Sequence, residues 1–422
     1  MRLFKRNTLR ASIVRRIFGT VSILLIVTAG CAVPGNPMPE HPDLGALDVG
    51  PYPREPLPVP PSGDEKYGRV IESVRMGEAV IDPTEADAAL SFGLSGNGAV
   101  PLPTPAKAAG FLAGPVRAVL EKRGMLAGFA VSAADREVSS RPQVGTCRLL
   151  TVIVLRFPDP DAARQAAREI DSVDFAVNTE NAAVPIPDYP EAQAHWRPTV
   201  PTLAATTSID SYVVSVLAGH TGTDLPALTG LARKTFGVQL PRLREFAATP
   251  LDRIASLPLD QEGMVRRQVP ALAGRWSYPT VVLMNRQEVA GWDSLISARG
   301  VVYGPRAARR FIRQGGGDFD AIAVNGTDFL ARYPDAATAK QHFDAAARKG
   351  GALGLRPIPA PDGTRDVLCY VDDSIGQSPG VALIKYSCRV LYGRYLAQIF
   401  SRVPQDIRQK AASQYALLVG SG

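Results

Sequence analysis

The sequence is poor in the residues that most often carry catalysis or bind metal. It has four histidines and four cysteines in 422 residues. Neither the His-Glu-x-x-His pattern nor the paired Cys-x-x-Cys pattern of metal sites occurs. The Gly-x-Ser-x-Gly serine elbow and the Walker A phosphate loop are also missing. The sequence therefore identifies no catalytic residue, no metal site, no cofactor and no ligand-binding residue.

Long hydrophobic runs are equally scarce, and the longest lies at the N-terminus. The apolar stretch 17–29 is too short to span a bilayer but suits the hydrophobic region of a signal peptide. The small residues Ala29 and Gly30 precede Cys31, as in a bacterial lipoprotein signal. We therefore expect a signal peptide over residues 1–30 and lipid attachment at Cys31. The alternatives are an ordinary signal peptide with a free cysteine and an uncleaved anchor.

The net charge excludes a nucleic-acid partner once the leader is set aside. The formal charge is +7, and six of the basic residues lie in the leader, which has no acid: Arg2, Lys5, Arg6, Arg10, Arg15 and Arg16. The mature chain is then near +1 (7 − 6). A surface this close to neutral predicts membrane contact through the N-terminal lipid, on the extracytoplasmic face of the cell membrane, rather than through a basic patch.

Three further cysteines indicate one disulfide in an exported protein. Cys369 and Cys388 each lie in a β-like run, and the stretch between them is rich in Asp, Ser, Gly and Pro. That pattern predicts a hairpin whose strands the disulfide joins. Cys147 is then a free and buried thiol.

Proline divides the mature chain into a tether and a folded part. Ten prolines lie between residues 32 and 63. We expect residues 31–66 to form an extended, proline-rich tether that holds the folded part clear of the bilayer.

The folded part contains an internal repeat. Arg156-Phe157-Pro158-Asp159 returns as Arg332-Tyr333-Pro334-Asp335, in both cases between a strand-like run and an alanine-rich helix. Matching Gly-Pro, Ile-Pro and Tyr-containing strings flank both copies in the same order. The repeat predicts a first lobe over residues 67–249, a structured connector over 250–285 and a second lobe over 286–422.

Each copy contains grouped strands and helices, which indicates an α+β fold rather than an alternating βαβ array. We expect two tandem, pseudo-repeated lobes, each with an antiparallel or mixed sheet and helices on one face. A roughly two-fold axis should relate the lobes, with Trp276 of the connector at their seam. Asp159 and Asp335 are expected to cap helices, and Arg156 and Arg332 to pair with acids.

Several short strings in a fixed order resemble a family of envelope lipoproteins of nocardial and mycobacterial actinobacteria. They are 47–53, 72–76, the Arg-Phe-Pro-Asp motif, 300–306, the cysteine pair, and 411–415. The resemblance implies an envelope lipoprotein built on a domain of unknown function. It carries over no activity and no catalytic residue.

These observations favour a membrane-anchored binding module over an enzyme. The expected partner is an envelope component, either a lipid-like ligand or a protein, held in the groove between the lobes. The alternatives are an envelope hydrolase with an unidentified nucleophile and a structural or accessory subunit of an envelope complex.

Overall fold

A computed structural model describes residues 43–94, 99–138, 143–281, 298–310, 318–375 and 384–421. Cys31, Trp292 and the signal peptide lie outside these residues. The helices within them are α1 (Glu65–Met76), α2 (Pro83–Ala86), α3 (Pro105–Ala108), α4 (Val116–Lys122), α5 (Pro160–Phe175), α6 (Leu225–Glu245), α7 (Pro305–Ala308), α8 (Ala336–Ala352) and α9 (Pro404–Val419). None of these helices is both long and apolar enough to cross a membrane, a finding limited to the residues just given.

The described strands form two antiparallel sheets. The first contains β1 (Phe92–Gly93), β2 (Ala99–Pro101), β3 (Ala127–Ala134), β4 (Leu149–Arg156), β5 (Ala182–Ala183), β6 (Gln193–Trp196), β7 (Thr202–Ile209) and β8 (Tyr212–Gly219). The second contains β9 (Thr280–Val281), β10 (Ala298–Tyr303), β11 (Ala321–Asn325), β12 (Asp328–Arg332), β13 (Arg356–Ile358), β14 (Val367–Val371), β15 (Tyr386–Tyr392) and β16 (Tyr395–Ser401). The expected α+β class with two lobes is confirmed.

The two sheets have the same connectivity. The first runs β3-β4-β8-β7-β6-β5 and the second β11-β12-β16-β15-β14-β13. Beyond this path β1 and β2 pair with β3, and β10 pairs with β11 and with the edge strand β9. In each lobe a hairpin leads into a helix, and the chain then returns to fill the other side of the sheet. The six strands of this shared path are therefore equivalent between the lobes.

The repeated motif occupies equivalent positions in the two sheets. Phe157 N donates to Ser211 O at 2.8 Å, and Tyr333 N donates to Arg394 O at the same distance. Both motif aspartates cap the helix that follows: Asp159 accepts from the amide of Ala162 at 2.8 Å, and Asp335 from that of Thr338 at 2.7 Å. The predicted junction between strand and helix is thus present twice.

The Ile-Pro string, residues 185–187 in the first lobe and 357–359 in the second, has different structures in the two lobes. Pro357 and Ile358 lie in β13, which pairs with β14. In the first lobe the string falls beyond β5, in a turn closed by a bridge between Ile186 and Tyr189. The lobes therefore share their central strands and differ at the outer edge.

Helices cover both faces of each sheet, whereas the sequence pattern suggested one face. In β4, Val152 and Val154 pack with α6, while Ile153 and Leu155 pack with α5. In the second lobe α8 covers one face of the sheet and α9 covers the other. A strand buried on both sides is a continuous apolar run without alternation, which is the pattern of Val152-Ile153-Val154-Leu155.

The contacts between the lobes are not reciprocal. One hydrophobic cluster joins the α6 face of the first lobe to the α8 face of the second, but the α5 and α9 faces belong to separate clusters. A two-fold axis would require every contact to occur twice. The shared cluster is therefore asymmetric, and the segment 43–62 and the connector pack in the cluster that contains α9.

One of those segments corrects the predicted tether. We call residues 43–62 the strap. Leu47 and Val49 are 2% and 1% exposed and pack in the cluster that contains α9. Tyr52 Oη donates to Asp406 at 2.6 Å, and Ser413 donates to Pro53 O at 2.6 Å. The strap, and not a free tether, thus occupies residues 43–62 on the second lobe, and α1 already begins at Glu65. The scattered apolar side chains of the strap find a partner that local sequence does not show.

The connector packs against both lobes. Its first part, Leu251–Ser256, lies against α1 of the first lobe, and later residues bind the second lobe. Val269 N donates to Gln414 Oε1 at 3.0 Å, and Gln268 Nε2 donates to Ala323 O at the same distance. The Trp276 side chain lines a small cavity together with Leu57 of the strap and Leu417 of α9. Two residues further along, Tyr278 stacks on Tyr67 of α1 with ring centroids 4.7 Å apart, so the connector near Trp276 contacts the first lobe as well as the second.

Candidate functional site

The candidate site is a cleft where the two lobes meet. It has a volume of about 230 Å³ and is open to solvent. The first lobe contributes the turn before α2, the segment through β1 and the middle of β3. The second lobe contributes the two residues after α7. We call this the inter-lobe cleft, and its lining residues are Asp82, Pro83, Thr84, Leu90, Ser91, Gly93, Val131, Ser132, Ala133, Arg309 and Arg310.

Local sequence fixes both walls of the cleft. Asp82 caps α2 by accepting from the Thr84 amide at 3.0 Å, and Glu85 completes a capping box by accepting from the Asp82 amide at 2.8 Å. On the other wall, Pro305 at the first turn starts α7 directly after β10. These short helices place Asp82 opposite Arg310.

Acidic residues of the first lobe hold α7 in place. The Glu78 carboxylate accepts from the amides of Arg306 and Ala307 at 3.1 and 2.8 Å, so it binds the positive end of that helix. Glu85 accepts from Arg242 at 2.9 and 2.5 Å. This hydrogen bond lowers the pKa of Glu85 to about 2, against the opposing effect of burial. Both carboxylates are thus already engaged within the protein.

Arg310 is the unusual residue of the cleft. It is 7% exposed, and its Nη2 donates to Val80 O at 2.7 Å. Its Nε and Nη1 atoms are buried and have no hydrogen-bond partner within the part of the chain that the structure describes. The nearest carboxylate oxygen is Asp82 Oδ2, 3.6 Å from Nε. Burial lowers the pKa of Arg310, although an arginine side chain remains charged at neutral pH.

The motif arginines lie elsewhere and have acidic partners, as expected. Arg156 Nη1 donates to Glu72 at 2.5 Å, and both side chains are buried. Arg332 is paired with Asp320 at 2.6 Å and with Glu262. Neither arginine lines the inter-lobe cleft. Their role is to hold segments of the fold together.

The three cysteines that the structure describes have the roles that the sequence predicted. Cys369 and Cys388 form a disulfide across β14 and β15, which confirms the pairing. Cys147 is a free, buried thiol and packs with Leu94 and Ala134 in a small apolar cluster.

The three histidines within the described residues do not converge on the cleft. Buried His195 has Nδ1 2.9 Å from Asp171 Oδ1, against the end of α5. His342 stacks on Tyr333 with ring centroids 4.7 Å apart, and the backbone amide of Gly222 donates to His220. Across the described residues, no group of three or more His, Cys, Asp or Glu side chains is arranged to hold a metal ion.

Sequence reasoning missed Arg310 altogether. Arg309 and Arg310 follow a short helix that starts with proline, and nothing local distinguishes them from the other arginines of the chain. Only the packing of α7 against the first lobe buries one of the two and leaves the other exposed. The nearest signal in the sequence is the Gly304-Pro305 string, which predicts the start of a helix but not a buried arginine after it.

Comparison with known proteins places the chain in a family. No curated protein matches it. The solved extracellular domain of PknH from Mycobacterium tuberculosis is similar at 12% identity and a TM-score of 0.27, over 38% of this chain and 92% of that one. That value is too low to support a shared fold. The N-terminal part of the domain of unknown function DUF7373 matches residues 59–259, and its C-terminal part matches residues 292–421. Because the two matches cover most of the chain and follow the two lobes in order, the protein belongs to the DUF7373 family.

Proposed function

We propose that the protein is a membrane-anchored, extracytoplasmic binding module that holds a ligand from the cell envelope in the inter-lobe cleft. The observation that carries the proposal is the cleft itself, since it lies between two packed lobes and contains a buried charge with unfilled hydrogen-bond donors. Ligand sites are frequent at such junctions, and a few convergent polar groups commonly orient the ligand.

The disulfide supports the extracytoplasmic part of the proposal. Disulfides persist in oxidising compartments and are rare in the cytosol. Cys369 is 3% exposed and Cys388 is fully buried, so the bond belongs to the packed core. Attachment through Cys31 would then place the folded body at the outer surface of the cell membrane.

The docked strap limits the length of chain between the proposed lipid on Cys31 and the folded body. From Cys31 to Asp43 the chain can reach at most about 40 Å when fully extended. Beyond Asp43 the chain is docked on α9 of the second lobe. A lipid on Cys31 would therefore keep the second lobe within this distance of the bilayer. The distance is shorter than the length that the whole proline-rich segment would span if it were extended.

The cleft suits a small polar group better than an acyl chain. Its volume is below the roughly 300–1,000 Å³ of pockets that enclose drug-sized ligands. Polar side chains make up about half of its lining, among them Asp82, Thr84, Ser132 and the two arginines. We therefore favour a ligand with a polar head in the cleft and the remainder outside.

Native mass spectrometry of the full-length protein, purified in detergent from its own host, tests the proposal. Ser91 is exposed and lines the cleft, so Ser91→Trp fills the mouth without altering the core. Ser91→Ala is the matched control. We expect a bound small molecule in the wild type and in Ser91→Ala, and its loss in Ser91→Trp. A molecule retained by Ser91→Trp, or no bound molecule in the wild type, would contradict the proposal.

A further inference from the structure

The inference concerns the chemistry of the group that enters the cleft, and so it rests on the proposed function. Arg310 is a cation removed from water whose Nε and Nη1 donors find no acceptor in the described residues. Buried donors are nearly always satisfied, and a buried charge is normally paired, because the free-energy cost of leaving either alone is high. A buried guanidinium that faces a cleft with two unfilled donors therefore indicates an acceptor beyond the residues that the structure describes.

The acidic residues around the cleft do not supply the hydrogen-bond acceptor that Arg310 lacks. Glu78 binds the amides of α7, and Glu85 binds Arg242. Asp82 uses Oδ1 for the amide and hydroxyl of Thr84, at 3.0 and 2.7 Å. Its Oδ2 is 3.6 Å from Arg310 Nε, which is an ion-pair distance but too long for a hydrogen bond. Asp82 thus offsets the charge of Arg310 only in part.

A second arginine adds positive charge at the mouth. Arg309 is exposed and lines the same cleft. Within the described stretches of the chain, no acidic side chain lies within ion-pair distance of it. Among the side chains that line the cleft, two arginines and one aspartate leave an excess of positive charge, which attracts an anion, while Glu78 and Glu85 behind the lining act on Arg310 in the opposite sense.

We propose that the inter-lobe cleft binds a small oxyanion, the phosphate or carboxylate group of an envelope component, with Arg310 as the buried donor and Arg309 at the entrance. Arginine is well suited to this role because its planar guanidinium matches the oxygens of both groups. The volume of about 230 Å³ accommodates such a group, and the open side lets the rest of the ligand remain in solvent or in the membrane.

A purely structural role for Arg310 is the competing explanation. In that case Arg310 would only tie the lobes together through Val80 O and Asp82. The two explanations differ in what happens at Asp82. If Arg310 only links the two lobes, Asp82→Asn weakens the contact between the lobes and creates no affinity for an anion. If the cleft binds an anion, the same substitution removes a repulsive charge and tightens binding.

Isothermal titration calorimetry of the full-length protein in detergent tests the oxyanion. Inorganic phosphate and acetate are titrated separately in chloride buffer at constant ionic strength. We expect saturable binding at one site for at least one of the two anions. The anion that binds more tightly shows whether the cleft prefers a phosphate or a carboxylate group. Arg310→Gln should weaken it by about tenfold or more, the effect of losing a charge-assisted hydrogen bond. Arg253→Gln is the control, since Arg253 is an exposed connector arginine.

Two further variants keep the test decisive if Arg310→Gln fails to fold. Asp82→Asn should tighten binding about two- to fivefold, and Arg309→Gln should weaken it by a similar factor, because surface charges have modest effects in water. Absence of saturable binding by both anions overturns the oxyanion proposal, as does an equal loss in Arg253→Gln and Arg310→Gln. If Arg310→Gln still retains the ligand seen by mass spectrometry, the oxyanion fails while the binding function stands.

Soluble glycerol phosphate and vesicles that contain phosphatidic acid separate two sources of the anion. Similar affinity for glycerol phosphate and inorganic phosphate indicates a free phosphorylated ligand. Binding to vesicles that requires Arg310 and exceeds binding to neutral vesicles indicates a lipid headgroup. Either result supports the oxyanion, and failure of both contradicts a phosphate ligand.

Discussion

The two motif arginines allow a stability test in which one lobe serves as the control for the other. Arg156 and Arg332 occupy equivalent strand ends, but their partners differ in burial. Glu72 is fully buried, whereas Glu262 and Asp320 are 49% and 39% exposed. We expect Arg156→Met to destabilise the protein much more than Arg332→Met does.

The expected magnitudes follow from what each substitution leaves behind. Glu72 also accepts from Arg75 at 2.6 Å and from the hydroxyl of Thr249 at 2.6 Å. Removing one partner of a buried ion pair costs about 3–5 kcal/mol, and the remaining Arg75 favours the lower end of that range. Arg332→Met leaves two carboxylates that water can solvate, so its cost is about 0–1 kcal/mol. The difference between the variants should be about 2–4 kcal/mol.

Equilibrium unfolding in urea measures this difference, followed by both far-UV circular dichroism and tryptophan fluorescence. Coincident transitions are needed before a single unfolding free energy is derived, because the protein has two lobes. A third variant, Arg156→Met with Glu72→Gln, removes the uncompensated charge and should recover part of the loss. Equal destabilisation by Arg156→Met and Arg332→Met, or a double variant no better than the single one, would refute this reasoning.

The remaining predictions concern the cysteines. Cys369→Ala and Cys388→Ala should each lower the unfolding free energy by about 2–5 kcal/mol, and the double variant should add little because either change removes the same bond; additive losses would argue against this. Ala194 and Ala205 are the first-lobe counterparts of that pair by sheet register, so cysteines placed at both should form a disulfide detectable by peptide mapping, and free thiols there would weaken the equivalence of the lobes. Cys31→Ser should move the protein from the membrane fraction to the soluble one or leave an unprocessed precursor, and unchanged partition and mass would exclude lipidation at Cys31.

Much of the fold could be predicted because its signals are local. The Pro-Asp strings predicted two capped helices, since an aspartate side chain satisfies amides only a few residues away. The turn-rich stretch between Cys369 and Cys388 predicted a hairpin, which brings the two sulfur atoms together. The repeat predicted two lobes, and the matching order of strands in the two sheets agrees with it.

The candidate site could not be predicted in the same way. Burial of Arg310 depends on α7 contacting the segment around Glu78 and Val80, more than 200 positions earlier in the chain. Docking of the strap depends on Asp406 and Ser413 at the other end of the sequence. The apolar residues of the strap are too widely spaced to show a helical or strand period, so a proline-rich sequence indicated only an extended conformation.

The sequence by itself determined the elements of this protein: the strands, the helix caps, the cysteine pair and the duplicated unit; lipid attachment at Cys31 stays a prediction. These depend on neighbouring residues, whose backbone preferences and short-range hydrogen bonds act within a few positions. Only the tertiary structure decided which faces pack together, that the strap covers α9, and that one of two adjacent arginines is buried without an acceptor. Those outcomes depend on surfaces that meet only after folding, because hydrophobic burial depends on the area removed from water and not on sequence distance.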